Sequence, residues 1–141
     1  MTRGKTRSVH LLLPLLLMAI LDGCSINQST VEPSADSMMV CTPADAEMVK
    51  AMSSLVPPSE LGTGDSGVLN PTVVIATPKW QVVTFGYGFG SSATYVAKVG
   101  SIQASTWVEI DGIGADPAFS DSEVNRIDDA AELALLCMRG G

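Results

Sequence analysis

Ser66, set in Gly64-Asp65-Ser66-Gly67, has the small neighbours that expose a nucleophilic hydroxyl. A serine hydroxyl attacks at neutral pH only when a base within hydrogen-bond reach takes its proton. The one histidine, His10, stands in an apolar N-terminal run, so nothing after it supplies an imidazole. Lys50 sits on an exposed helical position, Lys98 on a strand and Lys79 at a strand start, none of them sites that desolvate an amine into a neutral base. Glu109, Asp111 and Asp116 offer a second chemistry, an acid/base carboxylate pair, which must stand roughly 5–10 Å apart across a substrate groove. Asp111 and Asp116 do not follow the ligand series of an EF-hand loop. No cofactor or metal is expected from these residues.

Two further motifs invite a reading. Gly64 to Gly67 resembles the tetrapeptide around the nucleophile of chymotrypsin-like serine proteases, but the partner histidine and the length for two barrels are missing. Gly88-Phe89-Gly90-Ser91-Ser92-Ala93 matches the dinucleotide fingerprint, which has to open a helix within a βαβ unit. Here Thr94-Tyr95-Val96-Ala97-Lys98-Val99 follows, a strand-like run, so the glycines read as a hairpin loop. No Gly-Lys-Ser/Thr phosphate loop occurs. What remains for binding is a set of aromatics on strands. Tyr95 and Trp107, with Asp111 beside them, form a candidate outer binding face, and Trp80, Phe85 and Tyr87 gather on the neighbouring strand.

The elements that would position these residues are legible from periodicity. Residues 42–58 predict a helix with Thr42 as N-cap, Pro43 at the first turn, an apolar stripe of Met48, Val49, Met52, Leu55 and Val56, and Pro57-Pro58 as the stop. Residues 59–72 predict a long loop, one candidate rim for a binding site. Apolar, β-branched runs at 73–76, 80–88, 93–100 and 102–112 predict strands at hairpin spacing, the first of them an edge. In the last run Trp107, Glu109 and Asp111 alternate with Val108 and Ile110. Residues 120–140 carry the strongest helix pattern: a Ser120–Glu123 capping box, a stripe of Val124, Ile127, Ala131, Leu135 and Met138, and Arg139 then Gly140 at the end. The expected fold is α+β: an N-terminal helix, an antiparallel meander of three to four strands, and a C-terminal helix packed on one sheet face. Both helices are expected on that face, leaving the other solvated or free to bind.

The N-terminus supplies an address. Arg3, Lys5 and Arg7 precede the thirteen-residue run Val9–Leu21, which is too short to span a bilayer. A basic start and a short apolar run describe a secretory signal. The run ends Leu21-Asp22-Gly23-Cys24, which resembles the lipobox of bacterial prolipoproteins. That resemblance implies removal of residues 1–23, diacylglycerol on the Cys24 thiol, a tether over residues 24–41 and one domain over 42–141. It places the protein on the bacterial cell membrane or envelope, lipid-anchored, with its domain outside the cytoplasm. A secreted chain cut elsewhere and an uncleaved anchor are the alternatives.

Such a mature chain keeps five basic side chains against fourteen acidic ones, a net charge of −9. It repels nucleic acid, and no polybasic patch helps it to the bilayer. With Cys24 acylated, Cys41 and Cys137 remain, an even pair in an exported chain; they form one disulfide or stay as two buried thiols. The expected function is a non-catalytic binding or assembly module for an envelope protein, peptide or glycan. The alternatives are a carboxylate-dependent, glycosidase-like hydrolase and a protease inhibitor of cystatin-like shape.

Overall fold

The structure, a computed structural model, describes residues 39–140. The expected signal, Cys24 and most of the tether lie outside the described residues. The elements run β1 (Cys41–Pro43), α1 (Ala46–Ser54), β2 (Val68–Ile75), β3 (Trp80–Tyr87), β4 (Ser91–Lys98), β5 (Val108–Glu109) and α2 (Asp121–Gly140), with short 3₁₀ turns at Ala104–Thr106 and Ile110–Ala115. The five strands form one antiparallel sheet in the order β1-β2-β3-β4-β5, a pure meander. This is the expected α+β class with the C-terminal helix on the sheet. No helix among the described residues is long and apolar enough to cross a membrane.

The helices occupy opposite faces, against the expectation that they share one. Strand β3 shows why. Trp80 and Val82 face a core made with Val74, Val96, Phe119 and the α2 residues Ile127, Ala130, Ala131 and Ala134. Val83 and Phe85, one step out of phase, face a second core made with Met48, Ala51 and Met52 of α1, Ala97 and Trp107. Five of the eight β3 residues are apolar, or six counting Gly86, and they fall on both sides, so alternation cannot leave either face polar. A central strand apolar on both sides needs a layer on each. In α2 the buried stripe is rotated from the expected one onto three alanines and Ile127, small side chains that let the helix lie close to the sheet.

Three local expectations give way to better-satisfied alternatives. Thr42 and Pro43 belong to β1, opposite Val73 and Thr72, and the helix cap is Asp45, whose carboxylate accepts the Met48 N–H at 2.8 Å. A carboxylate cap also suits the positive end of the helix dipole. Strand β2 begins at Val68, inside the expected loop. It accommodates Asn70-Pro71 as a bulge between the Leu69–Gly86 and Thr72–Thr84 pairs. Asn70 takes φ 45°, a conformation asparagine tolerates, and its side-chain amide donates to the Met138 carbonyl in the last turn of α2 at 2.9 Å. The strand expected over 102–112 shrinks to Val108–Glu109, because 3₁₀ turns take the chain on either side. Facing nevertheless holds through that run: Trp107 joins the α1 core, and Val108 and Ile110 join the α2 core.

Cys41 and Cys137 form a disulfide. It ties the edge strand β1 to α2, not the start of one helix to the end of the other. The register explains the choice: Cys41 pairs with Val74, so its side chain shares the face that α2 covers. At the other end of α2, Glu123 joins the helix to β3. Its carboxylate accepts from the Ser120 N–H and hydroxyl, each at 2.8 Å, and from the Trp80 indole at 3.0 Å, with Lys79 at 3.7 Å. The Ser120 backbone and hydroxyl bonds, then Trp80 and Lys79, hold this carboxylate below the usual range, against a smaller opposing effect of desolvation.

Candidate functional site

A cleft of about 670 Å³ opens where β3 ends and β2 begins. One wall is the loop from Ser59 to Gly67; the other is the β3–β4 hairpin, Tyr87 to Ser91. The loop is held from below. Glu60 N–H closes a turn on the Pro57 carbonyl at 2.8 Å, and the Ser53 hydroxyl on α1 lies 3.0 Å from the Ser66 carbonyl. Two glycines shape the walls, Gly67 within the loop and Gly88 between loop and hairpin. Gly67 takes φ 67° and a Cβ there would stand 2.8 Å from that of Leu61. Gly88 takes φ 56° at the hairpin, with the Glu60 carbonyl 3.1 Å from where its Cβ would be. Only glycine combines that backbone with that approach.

The lining is apolar with hydroxyls around it. Leu61, Val68, Leu69, Tyr87 and Phe89 supply hydrophobic surface, and Ser59, Thr63, Ser66 and Ser91 supply hydroxyls. Phe89 is fully exposed at the hairpin tip. Glu60 is the one charged residue in the lining. Such a lining suits an extended apolar or amphipathic ligand, with hydroxyl and backbone groups available to orient it.

The sequence-derived candidates are dispersed around this cleft. Ser66 lies in it, with its hydroxyl proton directed at the Val68 carbonyl 3.3 Å away. The carboxylates do not converge there: Glu109 is on β5 opposite Tyr95, Asp111 is exposed in the following 3₁₀ turn, and Asp116 accepts the Ala118 N–H at 2.8 Å. Asp116 lines a smaller depression of about 290 Å³ with Trp80, Lys98 and Phe119. Among the described residues no group of three or more His, Cys, Asp or Glu side chains gathers.

The residues of the expected outer face differ in exposure: Trp107 is buried, Tyr95 half-buried and Asp111 exposed. Tyr95 lies between Phe85 and Trp107, with ring centroids 6.3 and 6.4 Å away, under the α1 layer. Trp107 is buried, its indole N–H without an acceptor among the described residues. Burial first, then Glu109 across the strand pair and Tyr87, raise the Tyr95 phenol above its ordinary value. Phe85 and Trp107 are core, with Tyr95 half-buried against them, because β3 is apolar on both sides and needed a second layer. What sequence reasoning underweighted is Phe89, a lone phenylalanine between glycines at a hairpin tip. A large apolar side chain where turn residues belong was the available signal.

Compared with known proteins, the chain matches no family model, no curated protein and no solved structure.

Proposed function

We propose that this chain is a lipid-anchored protein of the bacterial envelope whose domain binds, without catalysis, an envelope protein, peptide or glycan in the cleft between the 59–67 loop and the β3–β4 hairpin. One observation carries the reading: the cleft and the chain's entry point are at opposite ends of the sheet. The chain enters at Cys41, opposite Val74, beside the β2–β3 turn. The cleft lies at Val68, Tyr87 and Phe89, the far end of the same strands. Eight residues of β3 separate the two ends by about 23 Å at strand rise. The cleft then faces away from the bilayer, toward whatever stands in the envelope.

The alternatives draw less support. A carboxylate-dependent hydrolase needs two acids across a groove, and the cleft lining has Glu60 alone. A cystatin-like inhibitor was an analogy to one helix on a meander, and here a helix lies on each face.

The test is crosslinking in living cells with a photoreactive residue at Phe89, and at Leu136 on the exposed side of α2 as control. A discrete adduct at Phe89, absent at Leu136 and lost with Cys24→Ala, is the expected result. No adduct at Phe89, or the same adducts from both positions, overturns the cleft assignment. Fatty-acid labelling that persists in Cys24→Ala overturns the anchor.

A further inference from the structure

Seven large hydrophobic side chains are exposed among the described residues. Leu69 and Phe89 belong to the cleft and Leu136 lies on α2. The other four gather at the opposite end: Val40, 65% exposed, Ile75, 48%, Val99, 44%, and Ile102, 46%. Their common location follows from the register. Ile75 ends β2 opposite Gln81, and Val40 directly precedes Cys41, which pairs with Val74. Val99 donates its N–H to the Lys79 carbonyl of the β2–β3 turn at 3.0 Å. The Gln81 side chain accepts from the Gly100 N–H at 3.3 Å and reaches the Ser101 carbonyl at 3.5 Å, which holds the 99–102 segment at that end.

This is also the end at which the chain enters from Cys24. From these two facts we infer that the domain, once anchored, seats its entry end on the bilayer surface through Val40, Ile75, Val99 and Ile102. The inference rests on the anchoring reading and adds an orientation to it. Four partly exposed aliphatics are too small a surface to recruit a free protein to a membrane. Tethering changes that: a short linker holds the patch at a millimolar effective concentration above the lipid, where a weak contact suffices to choose among orientations. Burying apolar side chains at the headgroup boundary then favours this end over every other.

The charges at this end permit the contact. Lys79 and Lys98 are two of the three lysines in the described residues, and both stand there. Facing them on the α2 side are Asp116, Asp121 and Glu123, and the Glu123 carboxylate is engaged by Ser120, Trp80 and Lys79. At the cleft end Glu60 and Asp65 have no lysine in the same loop or hairpin.

The test uses the acylated, full-length protein in vesicles of phosphatidylethanolamine and phosphatidylglycerol. An environment-sensitive fluorophore is attached at Gln103→Cys, beside the patch, or at Ser91→Cys, beside the cleft. The expected result is a blue shift and quenching by brominated lipid at position 103, with neither at 91. Ile75→Asp/Val99→Asp/Ile102→Asp should abolish both signals while the protein still floats with the vesicles. Ile102→Asp alone, in an exposed connection, should weaken them and serves if the triple variant does not fold. Equal quenching at the two positions in floating protein overturns this inference alone. Failure of the acylated wild type to float overturns it together with the anchor.

Discussion

Removing the disulfide should cost more stability than any single side-chain truncation on the surface, and the magnitude follows from its position. Cys41 and Cys137 are 96 residues apart in sequence, so reduction frees almost the whole described domain in the unfolded chain. The chain-entropy relation gives about 4.7 kcal/mol for a loop of this size, with roughly 2–5 kcal/mol observed for native bridges in small exported domains. Strand β1 makes the higher part of that range the better expectation. It is three residues long, lies at the sheet edge, and includes Pro43, which has no N–H for the ladder. Without the bond, little beyond those pairs and Met39 and Cys41 against the α2 core holds it in place. Urea unfolding of the Cys24→Ala chain, with and without reductant, measures the effect. With a urea slope of roughly 1.5–2 kcal/mol/M, the midpoint should fall by about 2–3 M. Cys41→Ser and Cys137→Ser should match each other and the reduced protein. Two free thiols in the unreduced chain, or serine variants differing by more than about 1 kcal/mol, which exceeds the additivity error for one shared interaction, would refute the reasoning.

The remaining expectations concern titration, the glycine walls and Ser66. Because the Glu123 carboxylate is held below its ordinary value, its contribution is fully present above that value, near 4.3, and is lost as pH falls through the folded one; Glu123→Gln should flatten the acid limb of stability against pH relative to wild type. Tyr95 has the opposite sign: its raised value stabilises fully below about 10 and is lost as pH rises through the folded value, so Tyr95→Phe should flatten the alkaline limb. Gly67→Ala should destabilise by about 2 kcal/mol or more in urea unfolding, from a left-handed alanine and a Cβ 2.8 Å from that of Leu61, and should remove the Phe89 crosslink. Ser66→Ala should leave stability within about 0.5 kcal/mol of wild type, and a fluorophosphonate probe should not label the native protein; stoichiometric labelling at Ser66 would make it a nucleophile.

Strands β3 and β4, their hairpin and α2 were legible because each announces itself within its own residues. The Ser120–Glu123 box is one example: the predicted reciprocal bonds form, the return bond from Glu123 N–H to the Ser120 hydroxyl being a long 3.4 Å. Elements whose state depends on a neighbour were not. Thr42-Pro43 looks like a helix start until Val73 and Thr72 offer it a strand partner. Asn70-Pro71 looks like loop until a bulge lets β2 run through it and α2 gives Asn70 an acceptor. In both cases local chemistry was compatible with two states, and a tertiary partner chose.

The site divides in the same way. Of the loop expected over 59–72 as a candidate rim, residues 59–64 and 66–69 line the cleft, the last two already in β2. The aromatic face could not be placed from the sequence, because the burial of Trp107 and half-burial of Tyr95 depend on the α1 layer, which the apolar faces of β3 call for. The side chains nearer to function are the ones that break local rules: Phe89 among turn glycines, and Val40, Ile75, Val99 and Ile102 exposed where the chain enters. On the proposed reading the two ends make two different contacts, one by the cleft and one by the surface at the entry end. A variant that loses the Phe89 crosslink but keeps the lipid-facing signal at position 103, and another with the reverse phenotype, would separate them; variants that always lose both would mean that a single surface had been divided in error.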